Sequence, residues 1–225
     1  IQQAKLTAED ADAEDKFGSS VSISGDYAIV GAWGNDDNGD VSGSAYIFSL
    51  DDDEWIQQPK LTAEDAEGWD FFGASVSISG DYAIVGASTD DDDGENSGSA
   101  YIFSLHDGEW IQQAKLTAED GDEEDRFGSS VSISGDYAIV GAYADDDDGE
   151  RSGSAYIFSL DDGEWIQQAK LTADDADAGD FFGSSVSISG DYAIVGAHGD
   201  DDGGDRSGSA YIFSLDDGEW IQQAK

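Results

Sequence analysis

Cysteine is absent from the 225 residues, so the chain can build neither a disulfide nor a thiolate metal site, and nothing in it speaks to a redox compartment. Methionine is absent too, even at position 1. The chain is therefore expected to be a processed product or an excerpt of something longer, and the lack of a visible signal peptide carries no information. No Asn-x-Ser/Thr acceptor for N-glycosylation occurs. No apolar run reaches the roughly 18 residues of a membrane-crossing helix, so no membrane insertion is expected. Proline occurs once, as Pro59. Basic residues are scarce: 9 Lys and Arg stand against 52 Asp and Glu, a net charge of −43. Such a field repels nucleic acid and anionic membranes and attracts cations. Two roles suit it, solubility in high salt and oxygen ligation of a divalent metal.

What the chain has is repetition. Residues 17–32 read FGSSVSISGDYAIVGA, and the stretch returns at 72–87, 127–142 and 182–197, 55 residues apart each time. Only one of its positions changes, Ser19 to Ala74. A period of this size outweighs any domain count taken from length. The chain reads as a single repeat domain over 1–225, with units 1–55, 56–110, 111–165 and 166–220; residues 221–225 duplicate 1–5. Aromatic residues at 11% and hydrophobic ones at 38% argue for a packed core despite the charge.

Within the repeat, Val21 and Ile23 alternate with Ser20, Ser22 and Ser24, the period of a strand with unlike faces. Ser24-Gly25-Asp26 supplies turn chemistry. Residues 27–32 follow as a second strand, apolar on both faces, which must be covered on both sides. Residues 42–50 read as a third strand, also apolar on both faces, and 51–54 as a tight polar turn. The segment beginning at Trp55 (and at Trp110, Trp165 and Trp220) has mixed polarity, and one copy holds Pro59. Proline cannot donate to a ladder, so this strand is expected at the outer edge of its sheet. No helix pattern appears. Four antiparallel strands in a repeat slightly above the usual 40–50 residues make a blade of a β-propeller, whose ring covers both faces of every sheet. The Ser/Gly-rich strand 19–24 is expected innermost, where room is least.

The chain starts and ends inside the outer-strand segment. This suggests closure in which one terminus completes the blade begun by the other. Yet a ring of four needs only one copy of the duplicated five residues, so either one copy frays or the array continues past both ends. Two chains could also join into an eight-bladed ring.

The Phe17-Gly18 and Gly31-Ala32 elements, with GDYAIVGA and SGSAYIF, resemble the FG-GAP repeat in all four units. Trp33, Ser88, Tyr143 and His198 stand where the family's proline would be. The chain is similar to integrin α-subunit propellers and closer to the short variant of microbial secreted and surface proteins. The resemblance implies a propeller of four-stranded blades, an extracellular or cell-surface setting, and a role in adhesion or ligand binding. Integrin-type propellers close with more blades than the four repeats here, which leaves the ring size open. The family also implies calcium in some blades, through an Asp-rich loop between the Phe-Gly and Gly-Ala elements. Here that connection is only Ser24-Gly25-Asp26, so that site is not carried over.

The candidate metal site lies instead in the loop after the second strand. It reads Asn35, Asp37 and Asp40 in the first copy and Asp90, Asp92 and Glu95 in the second. The third copy has Asp145, Asp147 and Glu150, and the fourth Asp200, Asp202 and Asp205. Alternating carboxylates followed by a glycine bend can wrap Ca2+, which wants about six to eight oxygens. The match to a full calcium loop is partial, so affinity is expected to be weak; a solvated acidic turn is the other reading. Asp15, Asp70, Asp125 and Asp180 each precede a Phe-Gly pair by two residues and are expected to close a turn onto backbone N–H groups. The repeated tryptophans are expected to pack blade against blade rather than to stack sugars. Trp33 and Trp69 are weaker ligand-contact candidates, and His106 and His198 have no triad or zinc partners. Near-identical repeats place carboxylates in like surroundings, whereas acid–base chemistry needs unlike ones, so no enzyme is expected. The expected function is a non-catalytic extracellular binding and adhesion module for a protein or glycan. The alternative is a structural, self-associating unit of a longer array.

Overall fold

The computed structural model describes residues 2–225, and among them there is no helix. Four antiparallel sheets of four strands follow one another along the chain, one per repeat. The first holds β1 (Val21–Ser24), β2 (Tyr27–Ala32), β3 (Ser44–Asp51) and β4 (Glu54–Gln57). The second holds β5 (Ser75–Ser79), β6 (Tyr82–Ala87), β7 (Ser99–His106) and β8 (Glu109–Leu116). The third holds β9 (Phe127–Ser134), β10 (Tyr137–Ala142), β11 (Ser154–Asp161) and β12 (Glu164–Leu171). The fourth holds β13 (Phe182–Ser189), β14 (Tyr192–Ala197), β15 (Ser209–Asp216) and β16 (Glu219–Ala224). Strands are laid down in sequence order, so the Ser-rich strand sits at one edge of each sheet and the Trp strand at the other. The all-β, propeller-like architecture read from the sequence is the one observed.

Local chemistry sets these elements. Ser24 pairs with Tyr27, so β1 and β2 are joined by a two-residue turn. Gly25 occupies it at φ +55°, a left-handed conformation that glycine adopts without penalty. Alternation then divides the apolar residues of each sheet between its two sides. Ile29, Ala45 and Ile47 of the first sheet join one core cluster with Phe72, Val76, Ile78, Val85, Tyr101 and Phe103 of the second. The next two junctions repeat the pattern with Ile84 and Ile102, then Ile139 and Ile157. The core is thus a series of layers between sheets, and burying each Val or Ile there contributes roughly 1.5–3 kcal/mol.

Backbone contacts fix the sheets at close range. The Phe72 N–H donates to Ser42 O across the first junction (3.0 Å), and Phe127 and Phe182 repeat the bond with Ser97 (2.9 Å) and Ser152 (2.8 Å). A Cβ on Gly31, Gly86 or Gly141 would lie 2.0 Å from a carbonyl oxygen of the next sheet. The Phe-Gly and Gly-Ala elements are therefore the two sides of one backbone-to-backbone approach, which joins each repeat to the next.

One expectation fails. The termini do not share a blade: β16 (Glu219–Ala224) is formed largely by the C-terminal copy of the duplicated five residues, which pairs with β15 in the register Leu215↔Trp220. A tight turn makes this pairing local, so it needs nothing from the other terminus. Residues 2–7, which duplicate an outer strand, lie in no strand, although Leu6 and Ala8 pack on the first sheet. Nor do the first and fourth sheets cover one another. Val21 and Ile23 at one end, and Tyr192 and Ile194 at the other, stand exposed. The four blades form an open arc.

Gly86→Ala should therefore be severely destabilising, by about 3 kcal/mol or more, because backbone must move. Gly80→Ala, in a turn with no atom within 4 Å of the new methyl, should cost only about 1–2 kcal/mol of conformational strain. Urea denaturation of the two variants measures the difference, and equal losses would refute the close approach.

Candidate functional site

Antiparallel order sends every long loop to one rim. The β1–β2 and β3–β4 turns are short and lie at one end of each blade; the β2–β3 connection and the loop entering the next β1 lie at the other. Both long loops are acidic, so carboxylates of two loops converge on a single rim. Each convergence holds a lysine. Lys115, carried by β8, reaches Asp65 (2.8 Å), Asp90 (3.2 Å) and Asp92. Lys170 reaches Asp120 (2.9 Å), Asp145 (2.9 Å) and Asp147 (2.5 Å). Lys225 reaches Asp175 (2.6 Å), Asp200 (2.7 Å) and Asp202 (2.5 Å). Lys60 reaches only Asp10 (2.7 Å) and Asp37, because Asn35 stands in the buried position.

A tyrosine floors each cage. The Tyr101, Tyr156 and Tyr211 hydroxyls donate to Asp90 (2.8 Å), Asp145 (2.8 Å) and Asp200 (2.9 Å). The lysine ammonium lies 5.4–5.5 Å from the ring centres of those tyrosines, within cation–π range. In the first repeat Asn35 accepts from Ser44 (2.8 Å), and the Tyr46 hydroxyl has no hydrogen-bond partner among the described residues. Burial acts to raise Asp200, but the Lys225, Tyr211 and Ser209 bonds overcome it and hold the carboxyl at about 2. Burial likewise raises Asp65 and Asp120, and their lysines pull both below the usual range. The lysine bonds also lower Asp10 and Asp175.

The candidate residues are thus divided. Asp90 with Asp92, and Asp200 with Asp202, fall into groups that could hold a metal ion, with the third carboxylate supplied by Asp65 or Asp175 from the preceding loop. Asp145 and Asp147 converge in the same way around Lys170. Asp40, Glu95 and Glu150 instead offer backbone carbonyls, accepting from Trp69, Glu124 and Gly179 of the next repeat's loop (2.8, 2.8 and 2.9 Å). Asp205 is exposed. Reading the loop alone missed the upstream aspartate and the lysine. Their signal was the constancy of Asp10, Asp65, Asp120 and Asp175, and of the lysine 50 residues after each.

Other side chains have structural duties. Asp15, Asp70, Asp125 and Asp180 are buried and accept the N–H three residues upstream at 2.7–2.9 Å. Trp110, Trp165 and Trp220 meet Tyr27, Tyr82 and Tyr137 of the preceding blade edge-on. The variable rim positions, by contrast, gather aromatics. Trp33 lies 5.2 Å from Phe71, which lies 6.4 Å from the exposed Trp69. Phe181 lies 6.1 Å from Tyr143 and stacks on His198 at 5.0 Å.

Burial pushes Asp70 and Asp125 up to about 6, against the N–H bonds that act to lower them. These carboxyls bind a proton more tightly folded than unfolded. Their stabilising contribution is complete below the unfolded value near pH 4 and is lost as pH rises through about 6. Asp200 has the opposite sign: its contribution is present above about pH 4 and disappears as pH falls toward 2. Melting temperature should therefore fall between pH 5 and 7. The Asp70→Asn/Asp125→Asn double variant, which keeps both acceptors, should flatten that slope by about 1–3 kcal/mol per site. An unchanged slope would show both carboxyls ionised throughout.

No curated protein is significantly similar to the chain. The FG-GAP repeat matches four times, at residues 1–48, 55–103, 110–158 and 165–213, each match spanning the first two strands of one sheet and most of the third. No helix of the described residues is long and apolar enough to cross a membrane. With most of its length matched by a module of the binding or structural kind, the chain belongs to the FG-GAP repeat family.

Proposed function

We propose that the chain is a non-catalytic, extracellular binding and adhesion module whose ligand, a protein or a glycan, seats on the acidic rim. The observation that carries this reading is where the repeat varies. Strands and cages are nearly constant, while the positions that change gather the Trp33–Phe71–Trp69 and Tyr143–Phe181–His198 clusters. Loops on a rigid scaffold are where binding residues concentrate, and aromatic faces suit sugar rings and cationic side chains. The −43 charge disfavours nucleic acid and anionic membranes as ligands. No reaction is assigned, since the carboxylate cages repeat one environment rather than pairing unlike ones. A glycan and basic-peptide array tests the reading. A ligand retained by the chain should bind at least about 10-fold more weakly to Trp69→Ser and Trp33→Ser variants of unchanged melting temperature. Undiminished binding would remove the rim from the account.

Calcium loading belongs to the same proposal. Three carboxylates and one ammonium leave each full cage negative. The lysine side chain is long and partly exposed, so it can yield its place to a divalent ion. Three carboxylates supply fewer than the about six to eight oxygens calcium takes, which favours millimolar affinity. Adding calcium in the millimolar range should raise the melting temperature beyond sodium of matched ionic strength, more so in Lys115→Ala. Equal shifts from both salts would leave only charge screening.

A further inference from the structure

Three junctions between blades repeat one pattern, and the two open ends of the arc carry the two halves of a fourth. At the end of the arc, Tyr192 is 62% exposed and Ile194 41%, whereas Ile29, Ile84 and Ile139 are wholly buried by a following sheet. Ala210 is open there as well, where Ala45, Ala100 and Ala155 are covered. At the start, Val21 is 68% and Ile23 66% exposed, against 8% or less for Val76, Ile78, Val131 and Ile133.

Polar and aromatic groups divide in the same way. The Ser20, Ser75 and Ser130 hydroxyls donate to Gly73, Gly128 and Gly183 O of the following sheet (2.8, 2.8 and 2.7 Å). Ser185 repeats that hydroxyl with no sheet after it, and Gly18 repeats that carbonyl with no sheet before it. The Ser22, Ser77 and Ser132 hydroxyls accept from the N–H of Ile78, Ile133 and Ile188, each at 3.2 Å. Ser187 and the Ile23 N–H are left over among the described residues, one at each end. Three Tyr–Trp pairs cross the junctions at 5.7–6.0 Å, and among the described residues Tyr192 and Trp55 are the members without such a mate. A Cβ on Gly196 would meet only Ser185 of its own sheet, with Oγ nearest at 2.5 Å, although its three equivalents lie against the next sheet's backbone.

We propose that a second copy of this chain fills both ends at once. The open side of each fourth sheet seats on the open side of the other copy's first sheet, closing a two-chain ring of eight blades. The chain itself specifies the partner: the surface that fits the end of the arc is the one at its start, since three covalently linked examples of that fit exist within the chain. Such a contact joins unlike surfaces, and it forms a ring where the rotation closes and a filament where it does not. Propellers run to about eight blades, so two four-bladed chains reach the upper limit and three would exceed it. Residues 2–5 duplicate residues 222–225 of the neighbour and must give way. They are exposed and in no strand, so little holds them in place.

Mass in solution tests the proposal, by sedimentation equilibrium in about 0.5 M NaCl to screen the repulsion between two acidic chains. The expected mass is twice the 23.7 kDa of one chain. Gly196→Ala and Ile23→Asp alter sites that touch no other sheet in a single chain, so both should fold. Each should convert the protein to one-chain mass, with the dimer weakened at least 10-fold, while Ile56→Asp on the outer strand should leave the dimer intact. A single-chain mass for the unaltered protein overturns the proposal, as does a mass that grows without limit with concentration. A dimer that survives both Gly196→Ala and Ile23→Asp overturns it equally.

Discussion

A sheet that is apolar on both sides is unstable by itself, and every larger feature of this protein answers that constraint. Each repeat places Tyr, Val and Phe on one side and Ile and Ala on the other, so neither side can face water without loss. Stacking satisfies both sides of the inner sheets and one side of the outer two. Glycine and serine along the inner strands follow from the same need. Backbones must approach closely before the apolar layers can meet, and the serine hydroxyls then satisfy polar groups trapped between sheets.

The rim obeys a different rule. Carboxylates outnumber cations so heavily that proximity would drive the loops apart, and the cages localise positive charge where crowding is greatest. Four of the nine basic side chains are spent in this way, each bonded to carboxylates from two loops. The exposed members of such clusters add little by themselves, but at Asp90, Asp145 and Asp200 the lysine pairs a carboxylate that is itself buried, where losing one partner is the costly change. A lysine in the cage and a calcium ion in the cage are two solutions to one electrostatic problem.

Much of the fold was legible in the sequence, because strand alternation and turn residues are local signals. Pro59 alone placed the outer strand correctly, and the Ser-Gly-Asp turn located the β1–β2 hairpin. Half of each cage was legible for the same reason: Asp90 and Asp92 are two residues apart. The other half was not. Asp65 and Lys115 lie 25 and 23 residues from those partners, and only the sheet order brings them together. Closure was misjudged because the termini look like one broken strand, whereas a tight turn lets the C-terminal copy of the duplicated residues complete the fourth sheet on its own. The angle between blades has no residue signature, so repeats this alike do not announce where an arc must stop.

The sameness of the junctions has a consequence for heredity. Every junction presents the same glycine, serine and Ile–Val surfaces, so inserting or deleting one 55-residue unit rebuilds the same core contacts and changes only the rim. Recombination between such similar stretches of gene changes the number of units without creating a foreign seam. A change of copy number therefore alters the length of the stack and the decoration of its rim while keeping the seam between neighbouring units.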